Sequence, residues 1–277
     1  MELWYTENQN SHLRLSCRVN QTLHVEKTPF QHLAVLDAAG FGRMLVLDGI
    51  VQTTVWDEYI YHEMIAHVPL NTHPDPKRIL IIGGGDGGTA REVVRHPRVE
   101  GAVMVEIDER VVAAARKYLP ELSSHLDDPK LELRFADGIK HVAECDAEYD
   151  VIIIDSTDPV GPAVGLFSRE FYEMVSKALK EDGLFVAQSE SPLFNRDLIA
   201  RIYRDVAGIF AVARTYLACV PSYPGGMWSF TMGSKRYDPL TVKPESIPAL
   251  AYRYYNAEIH RAAFALPQFL RKLLGQG

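Results

Sequence analysis

The chain has 277 residues, of which 47% are hydrophobic and 23% are charged, a composition that fits one large α/β domain with a smaller attachment and gives no sign of disorder. Its formal net charge of -7 argues against nucleic acid as a partner, because neutralising phosphates requires a basic surface. The three cysteines, Cys17, Cys145 and Cys219, are odd in number and far apart, so they predict neither a disulfide framework nor a metal site.

Neither a targeting segment nor a membrane anchor is predicted. Residues 1–5 include an acid and lack the basic and then apolar pattern of a signal peptide. No apolar run approaches the roughly 18 residues of a membrane span. We therefore expect a cytoplasmic protein that does not contact a membrane.

The first part of the chain has the character of short β-strands. Residues 23–26 and 32–36 carry alternating or apolar strand patterns, while residues 38–42 and the pair Asp48-Gly49 supply turn chemistry. We therefore predict a small antiparallel β domain over residues 1–56.

From Asp57 the period changes, since Ile60, Met64 and Val68 recur at helical spacing. After a turn-rich boundary, apolar strands alternate with amphipathic helices, which predicts a parallel sheet covered on both faces. The predicted strands span residues 78–82, 101–107, 131–135, 151–155 and 183–188, and the clearest helices span 109–118, 168–180 and 196–208.

Two final strands, at residues 214–220 and 227–232, are joined by a connection too short for a helical crossover, so we expect them to be antiparallel. Five parallel strands followed by such a hairpin are typical of the methyltransferase variant of the doubly wound, Rossmann-like sheet. We predict this catalytic domain over residues 57–277, with a helical tail after Asp238.

A glycine loop follows the first strand of the predicted parallel sheet. Gly83, Gly85 and Gly88 satisfy the G-x-G-x-x-G pattern between a strand and a helix, where glycine allows a tight turn and close approach of a ligand. Glu106 ends the next strand, where an acid can accept hydrogen bonds from ribose hydroxyls. The pattern alone fits either a nicotinamide cofactor or an adenosyl-sulfonium compound.

Asp86, inside this loop, changes that balance. Its carboxylate would repel the pyrophosphate of a dinucleotide and attract an ammonium group. It therefore favours decarboxylated S-adenosylmethionine, although Asp86 could also serve as a helix N-cap. Asp137-Gly138 follows the third strand, where an aspartate can accept from the adenine amine, but Asp-Gly is also a common turn.

Two further acids lie at the end of the fourth strand. Asp155 ends the strand, and Asp158 follows in a loop that runs into the glycine- and proline-rich residues 161–167, a candidate lid. If the second substrate is a diamine, its attack on the sulfonium carbon needs a neutral nitrogen. Only about one alkyl amine in a thousand is neutral at pH 7. One acid could accept that proton while the other holds the distant ammonium. As structural alternatives, Asp155 could cap the following segment and Asp158-Pro159 could start a turn.

Several motifs together resemble those of the spermidine synthases. They are Asp48-Gly49 with Gln52, Tyr61-His62-Glu63, the loop Gly83-Gly84-Gly85-Asp86-Gly87-Gly88 with Glu92, Val105-Glu106-Ile107-Asp108, Asp155-Ser156-Thr157-Asp158-Pro159 with Gly161-Pro162, and Pro221-Ser222-Tyr223-Pro224-Gly225-Gly226-Met227-Trp228. The likeness runs from about Trp4 to Gly233. The combination is highly specific, whereas the tail after about Leu240 carries no such motif.

The resemblance implies aminopropyl transfer from decarboxylated S-adenosylmethionine to putrescine in a homodimer or homotetramer. No metal is expected, because no residues of the sequence form a ligand cluster, and no permanently bound cofactor is expected. The resemblance also implies that Asp155 is the proton acceptor and that Asp86 grips the amine of the aminopropyl group. The implied amine site contains Tyr61, His62, Asp86, Asp155, Ser156, Thr157, Asp158 and Tyr223. The implied co-substrate site contains Gln31, Gln52, Gly83, Gly85, Asp86, Glu106, Asp137, Gly138 and Pro162.

Other functions remain open at this point. The acceptor could be agmatine, cadaverine or spermidine, because these amines differ in chain length and end group and the sequence does not reveal the depth of the pocket. An S-adenosylmethionine-dependent methyltransferase of the same fold is the first rival, although it would need neither Asp86 nor two acids for a dication. A nicotinamide dehydrogenase is disfavoured by Asp86, and a non-enzymatic adenosyl-ligand sensor is a further alternative.

Overall fold

The computed structural model describes residues 2–159 and 161–276, without the side chain of Pro162. Near the amino terminus, five antiparallel strands form a sheet in which neighbours in sequence are neighbours in space. They are β1 (Leu3–Asn8), β2 (Arg14–Lys27), β3 (His32–Ala38), β4 (Gly42–Leu47) and β5 (Ile50–Thr54). The predicted antiparallel unit is therefore present. Its strand at residues 23–26 is part of the 14-residue β2.

The turn between β4 and β5 has the chemistry that the sequence predicts. Asp48 and Gly49 both have positive φ angles, of 48° and 82°, as a tight hairpin turn requires. The Asp48 carboxylate also accepts from the backbone N–H of His32 at 2.8 Å. The turn leads into β5, an edge strand of this sheet, which carries Gln52.

Helix α1 (Glu58–Thr72) follows and is buried on almost every side, rather than along one stripe. It contacts the second sheet, a neighbouring helix and the C-terminal segment. Burial on all sides explains why its sequence, although periodic, includes many apolar residues on every face. The helix brings Tyr61 and His62 to the centre of the molecule.

The second sheet has seven strands, in the order β11-β12-β10-β9-β6-β7-β8. Five are parallel, and β11 and β12 form the expected antiparallel hairpin beside β10. The strands are β6 (Arg78–Gly83), β7 (Gly101–Glu106), β8 (Leu131–Phe135), β9 (Tyr149–Asp155), β10 (Leu179–Gln188), β11 (Val212–Cys219) and β12 (Met227–Ser234). The predicted doubly wound, methyltransferase-like sheet is confirmed.

Helices cover both faces of this sheet. They are α2 (Gly88–Arg95), α3 (Glu109–Tyr118), α4 (Pro120–Ser123), α5 (Gly138–Glu144), α6 (Arg169–Ala178) and α7 (Arg196–Ala207), with a 3-10 helix over Gly161–Phe167. In the described part of the chain, no helix is long and apolar enough to cross a membrane. Strand β6 lies between β7 and β9, so the strands that follow it in sequence are added first on one side of β6 and then on the other. This reversal of strand order opens a crevice at the carboxyl ends of these strands.

The tail after Asp238 is helical only in part. It contains two short 3-10 helices and the six-residue helices α8 (Ala257–Ala262) and α9 (Gln268–Leu273). Prolines at positions 239, 244, 248 and 267 lack the N–H that a continuous helix requires. The tail instead packs its tyrosines onto the core, where Tyr255 is 2% exposed.

Candidate active site

A cleft of about 1220 Å³, part of it open to solvent, lies at the carboxyl ends of β6, β7 and β9. It brings together almost every residue that the sequence singles out. Its lining includes Gln31, Gln52, Tyr61, His62, Gly83, Gly85, Asp86, Glu106, Asp137, Gly138, Asp155, Ser156, Thr157, Asp158 and Tyr223. Pro162 was also predicted as a contact, but its side chain lies outside the described residues.

The glycine loop passes directly against the end of β9. Gly83 has a φ of 81°, and a Cβ added there would lie 2.2 Å from the carbonyl oxygen of Asp155. The N–H of Gly84 donates to that same oxygen at 2.9 Å. At the start of α2, a Cβ on Gly88 would collide with the ring of His62. Glycine is therefore needed here so that the loop, β9 and α1 can meet at one point.

Asp155 stands at this meeting point, with both carboxylate oxygens held. The Tyr61 hydroxyl donates to Oδ1 at 2.7 Å, and the Thr89 hydroxyl donates to Oδ2 at 2.7 Å. Burial and the neighbouring Asp86 raise the pKa of Asp155, while His62 and the two hydroxyl donors lower it. The result is a fixed carboxylate whose proton affinity exceeds that of a solvent-exposed aspartate.

The Asp86 side chain bonds to the start of α2 and also borders the cleft. Its Oδ1 accepts from the N–H of Gly88 at 2.7 Å, in the manner of a helix-capping aspartate. The same oxygen lies 3.4 Å from Nε2 of His62, and the side chain also lines the cleft. Capping therefore orients this acid and still leaves it beside the space that a ligand would fill.

His62 is buried behind Asp86, and both of its ring nitrogens have carboxylate partners. Nδ1 lies 2.7 Å from Glu58, and Nε2 faces Asp86. Burial alone would lower the pKa of His62, but Asp86 and Glu58 raise it to about 10. Arg91 pairs with the same Glu58 at 2.8 Å. His62 is therefore a buried cation that supports Asp86, with no ring nitrogen left over for a ligand.

The opposite wall of the cleft carries Glu106, at the end of β7. This side chain is 7% exposed, and burial raises its pKa to about 7. Its Oε1 accepts from the N–H of Asp108 at 2.9 Å. Asp108 in turn accepts from the Gln31 amide at 2.9 Å and from the Thr28 hydroxyl at 2.7 Å, which ties the first sheet to this wall. A ribose diol is a suitable partner for a carboxylate in this position.

Asp137 and Gly138 continue the same wall as the start of α5. Asp137 caps that helix by accepting from the N–H of Ile139 at 2.9 Å. A Cβ on Gly138 would lie 2.5 Å from the side chain of Ile82, so the absence of one lets the helix approach β6 closely. The Asp-Gly pair is therefore more than a surface turn, since it begins a helix at the edge of the cleft.

A second, smaller cleft shares Asp158 with the first. It contains two acids that the sequence did not single out, Glu190 and Glu7. They are 3% and 5% exposed. Burial and the neighbouring Asp158 raise the pKa of Glu190 well above its ordinary value, and burial raises the pKa of Asp158. Burial likewise raises the pKa of Glu7, and Asp158 adds to that effect. A cation entering between these carboxylates would relieve their repulsion.

Aromatic and amide groups link the two clefts. The Tyr223 hydroxyl donates to the carbonyl oxygen of Gln52, and its ring lies 5.8 Å from that of Tyr61 and 4.6 Å from that of Trp228. A separate set of contacts holds the loop after β9. There, the Gln188 amide donates to the carbonyl oxygens of Ser156 and Thr157, at 3.3 and 3.4 Å.

The two missed acids differ in how visible they were. Glu190 follows β10 by two residues, and acids after parallel strands point to the same edge as Asp155, so that signal was present. Glu190 also has a φ of 69°, which is uncommon outside glycine and typical of functional sites. Glu7 gave no signal, because a lone acid on an edge strand is normally a solvent-facing residue.

Two family models together match most of the chain. Residues 58–243 match the spermine/spermidine synthase domain, and residues 3–55 match the spermidine synthase tetramerisation domain. The chain belongs to the spermine/spermidine synthase family. The match to the first model covers the whole of the second sheet and ends before most of the C-terminal segment.

Relatives of this family are close to the chain over their whole length. It is 67% identical to the polyamine aminopropyltransferase of Desulforudis audaxviator over 270 residues, which is 98% of each chain. It is 61% identical to the enzyme of the same name from Moorella thermoacetica, over 98% of this chain and 96% of the other. The family member described here is thus an enzyme of the aminopropyltransferase class.

Solved structures agree with the fold. A spermidine synthase crystallised with the transition-state analogue AdoDATO has a TM-score of 0.96 and 43% identity, covering 99% of this chain and 96% of the other. The spermidine synthase of Thermotoga maritima has a TM-score of 0.95 and 43% identity, covering 99% of this chain and 95% of the other.

Within residues 2–159 and 161–276 of this family member, no group of three or more His, Cys, Asp or Glu side chains could hold a metal ion.

Proposed function

We propose that the protein transfers the aminopropyl group of decarboxylated S-adenosylmethionine to putrescine, giving spermidine and 5'-methylthioadenosine. The observation that carries this proposal is the distribution of carboxylates along two adjoining clefts. Asp86 and Asp155 line the first cleft, Glu190 and Glu7 line the second, and Asp158 lines both. Such a row suits a reaction in which both substrates bring positive charge.

Asp155 accepts the proton that the attacking amine must lose. The nitrogen lone pair then forms a bond to the carbon attached to the sulfonium, and the electrons of the carbon–sulfur bond remain on sulfur as a neutral thioether. Displacement is direct, with no covalent intermediate on the enzyme. The raised pKa of Asp155 favours this role, because a more basic carboxylate takes the proton more readily.

On the other side of the reacting carbon, Asp86 receives the ammonium of the aminopropyl group. Asp86 and the nearby Asp155 would repel the extra carboxylate of ordinary S-adenosylmethionine, so the decarboxylated form is the better ligand. Glu106 binds the ribose hydroxyls, and Asp137 accepts from the adenine amine, with Gln31, Gln52, Gly83, Gly85, Gly138 and Pro162 as further contacts. His62 contributes by holding Asp86 in place.

The acceptor is a dication whose far ammonium is held in the second cleft by Asp158 with Glu190 and Glu7. Tyr61, Ser156, Thr157 and Tyr223 surround its methylene chain or its reacting end. Putrescine is the diamine we propose. Agmatine, cadaverine and spermidine carry a cation at the far end as well, and they are the comparison substrates for a test.

We propose that the protein assembles as a homodimer or homotetramer through its first sheet. The description of the matched amino-terminal family model supports this assembly, as do the apolar side chains on β1 and β2. Leu3 and Trp4 are each 54% exposed and Val25 is 67% exposed in the single chain. Size-exclusion chromatography with light scattering should give a molar mass of two or four times 31.1 kDa, and the mass of a monomer would refute the assembly.

The proposed reaction is tested by supplying decarboxylated and ordinary S-adenosylmethionine separately with a panel of amines and identifying products by mass. Spermidine and 5'-methylthioadenosine from the decarboxylated form with putrescine are expected. If agmatine, cadaverine or spermidine reacts with a higher kcat/KM than putrescine, that amine is the acceptor instead of putrescine. Methylated product from the ordinary form, with no methylthioadenosine from the other, would refute the proposal.

A further inference from the structure

The C-terminal segment of residues 252–264 packs against the helix that carries Tyr61. This segment lies beyond residue 243, where the match to the synthase domain ends. Glu63, two residues after Tyr61 in α1, belongs to the motif Tyr61-His62-Glu63 but is not among the residues lining either cleft. It is 2% exposed, so its carboxylate must be satisfied inside the protein.

Three backbone N–H groups of the C-terminal segment satisfy that carboxylate. Oε1 of Glu63 accepts from Arg253 at 2.8 Å, and Oε2 accepts from Tyr254 at 2.8 Å and from Tyr255 at 2.7 Å. Hydrogen bonds to an ionised acceptor are among the stronger ones in proteins. The Arg253 guanidinium also lies 3.6 Å from the centre of the Tyr59 ring, one turn earlier in α1. The segment is thus fastened to the first two turns of this helix.

A row of aromatic rings makes a second connection to the site. The ring of Phe264 lies 5.2 Å from that of Tyr216, and Tyr216 stacks on Phe230 at 5.0 Å. Phe230 in turn lies 5.3 Å from the ring of Tyr61. The hydroxyl of Tyr216 donates to the carbonyl oxygen of Met64 in α1 at 3.0 Å. The C-terminal segment therefore supports Tyr61 from behind through close-packed rings as well as through Glu63.

We propose that Glu63 is a positioning residue, which fixes residues 252–264 against α1 and so holds the Tyr61 hydroxyl on Asp155. The inference rests on the proposed function, because it takes Asp155 to be the proton acceptor. Tyr61 reaches Asp155 from a helix, at 2.7 Å, so a small rotation or shift of that helix is enough to break the contact. The three hydrogen bonds of Glu63 prevent such a shift.

The test compares Glu63→Gln with Leu270→Ala. Glutamine keeps the size of the side chain but turns an amide NH2 toward one or two backbone donors. Leu270 is a matched control, since it lies in the same tail and is 0% exposed but packs with Ile199 and Leu274, away from α1. Phe264→Leu is a second variant that weakens the aromatic connection and leaves Glu63 unchanged.

Three measurements separate positioning from mere stability. They are the melting temperature, the pH dependence of kcat with decarboxylated S-adenosylmethionine and putrescine, and the amide hydrogen exchange of residues 58–64. The groups that face Asp155 are Tyr61, His62, Asp86, Thr89, Glu106 and Tyr223. All of them are unchanged in the three variants.

In Glu63→Gln and Phe264→Leu, we expect kcat to fall about five- to tenfold while the KM for co-substrate stays within about twofold. The acid limb of kcat should move up by about half a pH unit, because Tyr61 donates less to Asp155. Exchange across residues 58–64 should become faster. Leu270→Ala should lower the melting temperature and leave kcat, the acid limb and the exchange of residues 58–64 unchanged.

The inference is overturned if Glu63→Gln lowers the melting temperature but leaves the acid limb and the exchange of residues 58–64 as in the parent. It is also overturned if Leu270→Ala shifts the acid limb equally. A failure of the proposed function is distinguishable, because the parent itself would then form no spermidine. In that case the exchange data alone decide whether Glu63 fixes α1.

Discussion

Replacing Tyr61 by phenylalanine should make Asp155 harder to ionise and so move the acid limb of turnover to higher pH. The Tyr61 hydroxyl donates to Oδ1 of Asp155 at 2.7 Å and lowers the pKa of a carboxyl group that burial and Asp86 raise. A proton acceptor must begin the reaction ionised. Removing the donor therefore costs activity at low pH and leaves activity at high pH largely intact.

The size of the shift follows from the single hydrogen bond that is lost. A hydrogen bond to a charged acceptor is worth about 1.5–3 kcal/mol, and about 1.36 kcal/mol corresponds to one pH unit. The acid limb of kcat should therefore rise by about one to two pH units. Thr89 still donates to Oδ2 in the variant, and His62 remains a nearby cation, so the carboxylate stays ionised at high pH.

The assay measures kcat across pH with both substrates saturating, and the matched control is Tyr223→Phe. The Tyr223 hydroxyl donates to the carbonyl oxygen of Gln52 rather than to Asp155, so its loss should leave the limb in place. The assignment of Asp155 as the group that titrates would be refuted if the acid limb of kcat lies at the same pH in Tyr61→Phe as in the parent. It would also be refuted if the limb shifts equally in Tyr223→Phe.

Three further predictions concern charge. Asp86→Asn should lower kcat/KM for decarboxylated S-adenosylmethionine about 10- to 100-fold while improving the binding of the ordinary form, measured by kinetics and calorimetry; equal losses for both forms would contradict the role of Asp86. Glu190→Gln should raise the KM for putrescine about tenfold with kcat within about threefold, and a monoamine should show no such effect. His62 has a folded-state pKa raised to about 10, so its stabilisation is complete below its ordinary pKa of 6.5 and is lost as pH rises through 10. Urea unfolding from pH 7 to 10 should show the parent losing at least about 1 kcal/mol more than His62→Gln, and parallel losses would contradict a buried imidazolium.

Much of the fold is predictable because its signals are local. Strands β6, β7 and β9 are short apolar runs. The connection at residues 221–226 is too short for anything except a hairpin, which is what β11 and β12 form. The first sheet was less visible. Strand β1 is largely exposed, so its sequence lacks the apolar alternation that marks a strand, and only pairing with β2 fixes it.

The site was predictable where it depends on strand ends. Glu106 and Asp155 end parallel strands, and the glycine loop and Asp137 follow such strands. The carboxyl ends of parallel strands meet at one edge of a sheet. Contacts between distant parts of the chain left no such sign. Glu63 and Arg253 are 190 residues apart, and their hydrogen bond depends on how the tail folds back. Glu7 reaches the second cleft only because the first sheet packs beside it.

The role of His62 could be decided only by geometry. A histidine on a buried helix can be a packing residue or a ligand contact, and the sequence supports both. The positions of Glu58 and Asp86 on either side of the ring make it a structural cation. Its influence on a substrate must therefore pass through Asp86.

The most direct test of Asp155 as proton acceptor compares the products that the parent and Asp155→Asn form from decarboxylated S-adenosylmethionine and putrescine. The parent should release spermidine and 5'-methylthioadenosine in equal amounts, identified by mass. The variant should bind both substrates but turn over about 100- to 10,000-fold more slowly, the usual contribution of a general base. Undiminished turnover in Asp155→Asn, or methylated amine from ordinary S-adenosylmethionine, would contradict the account.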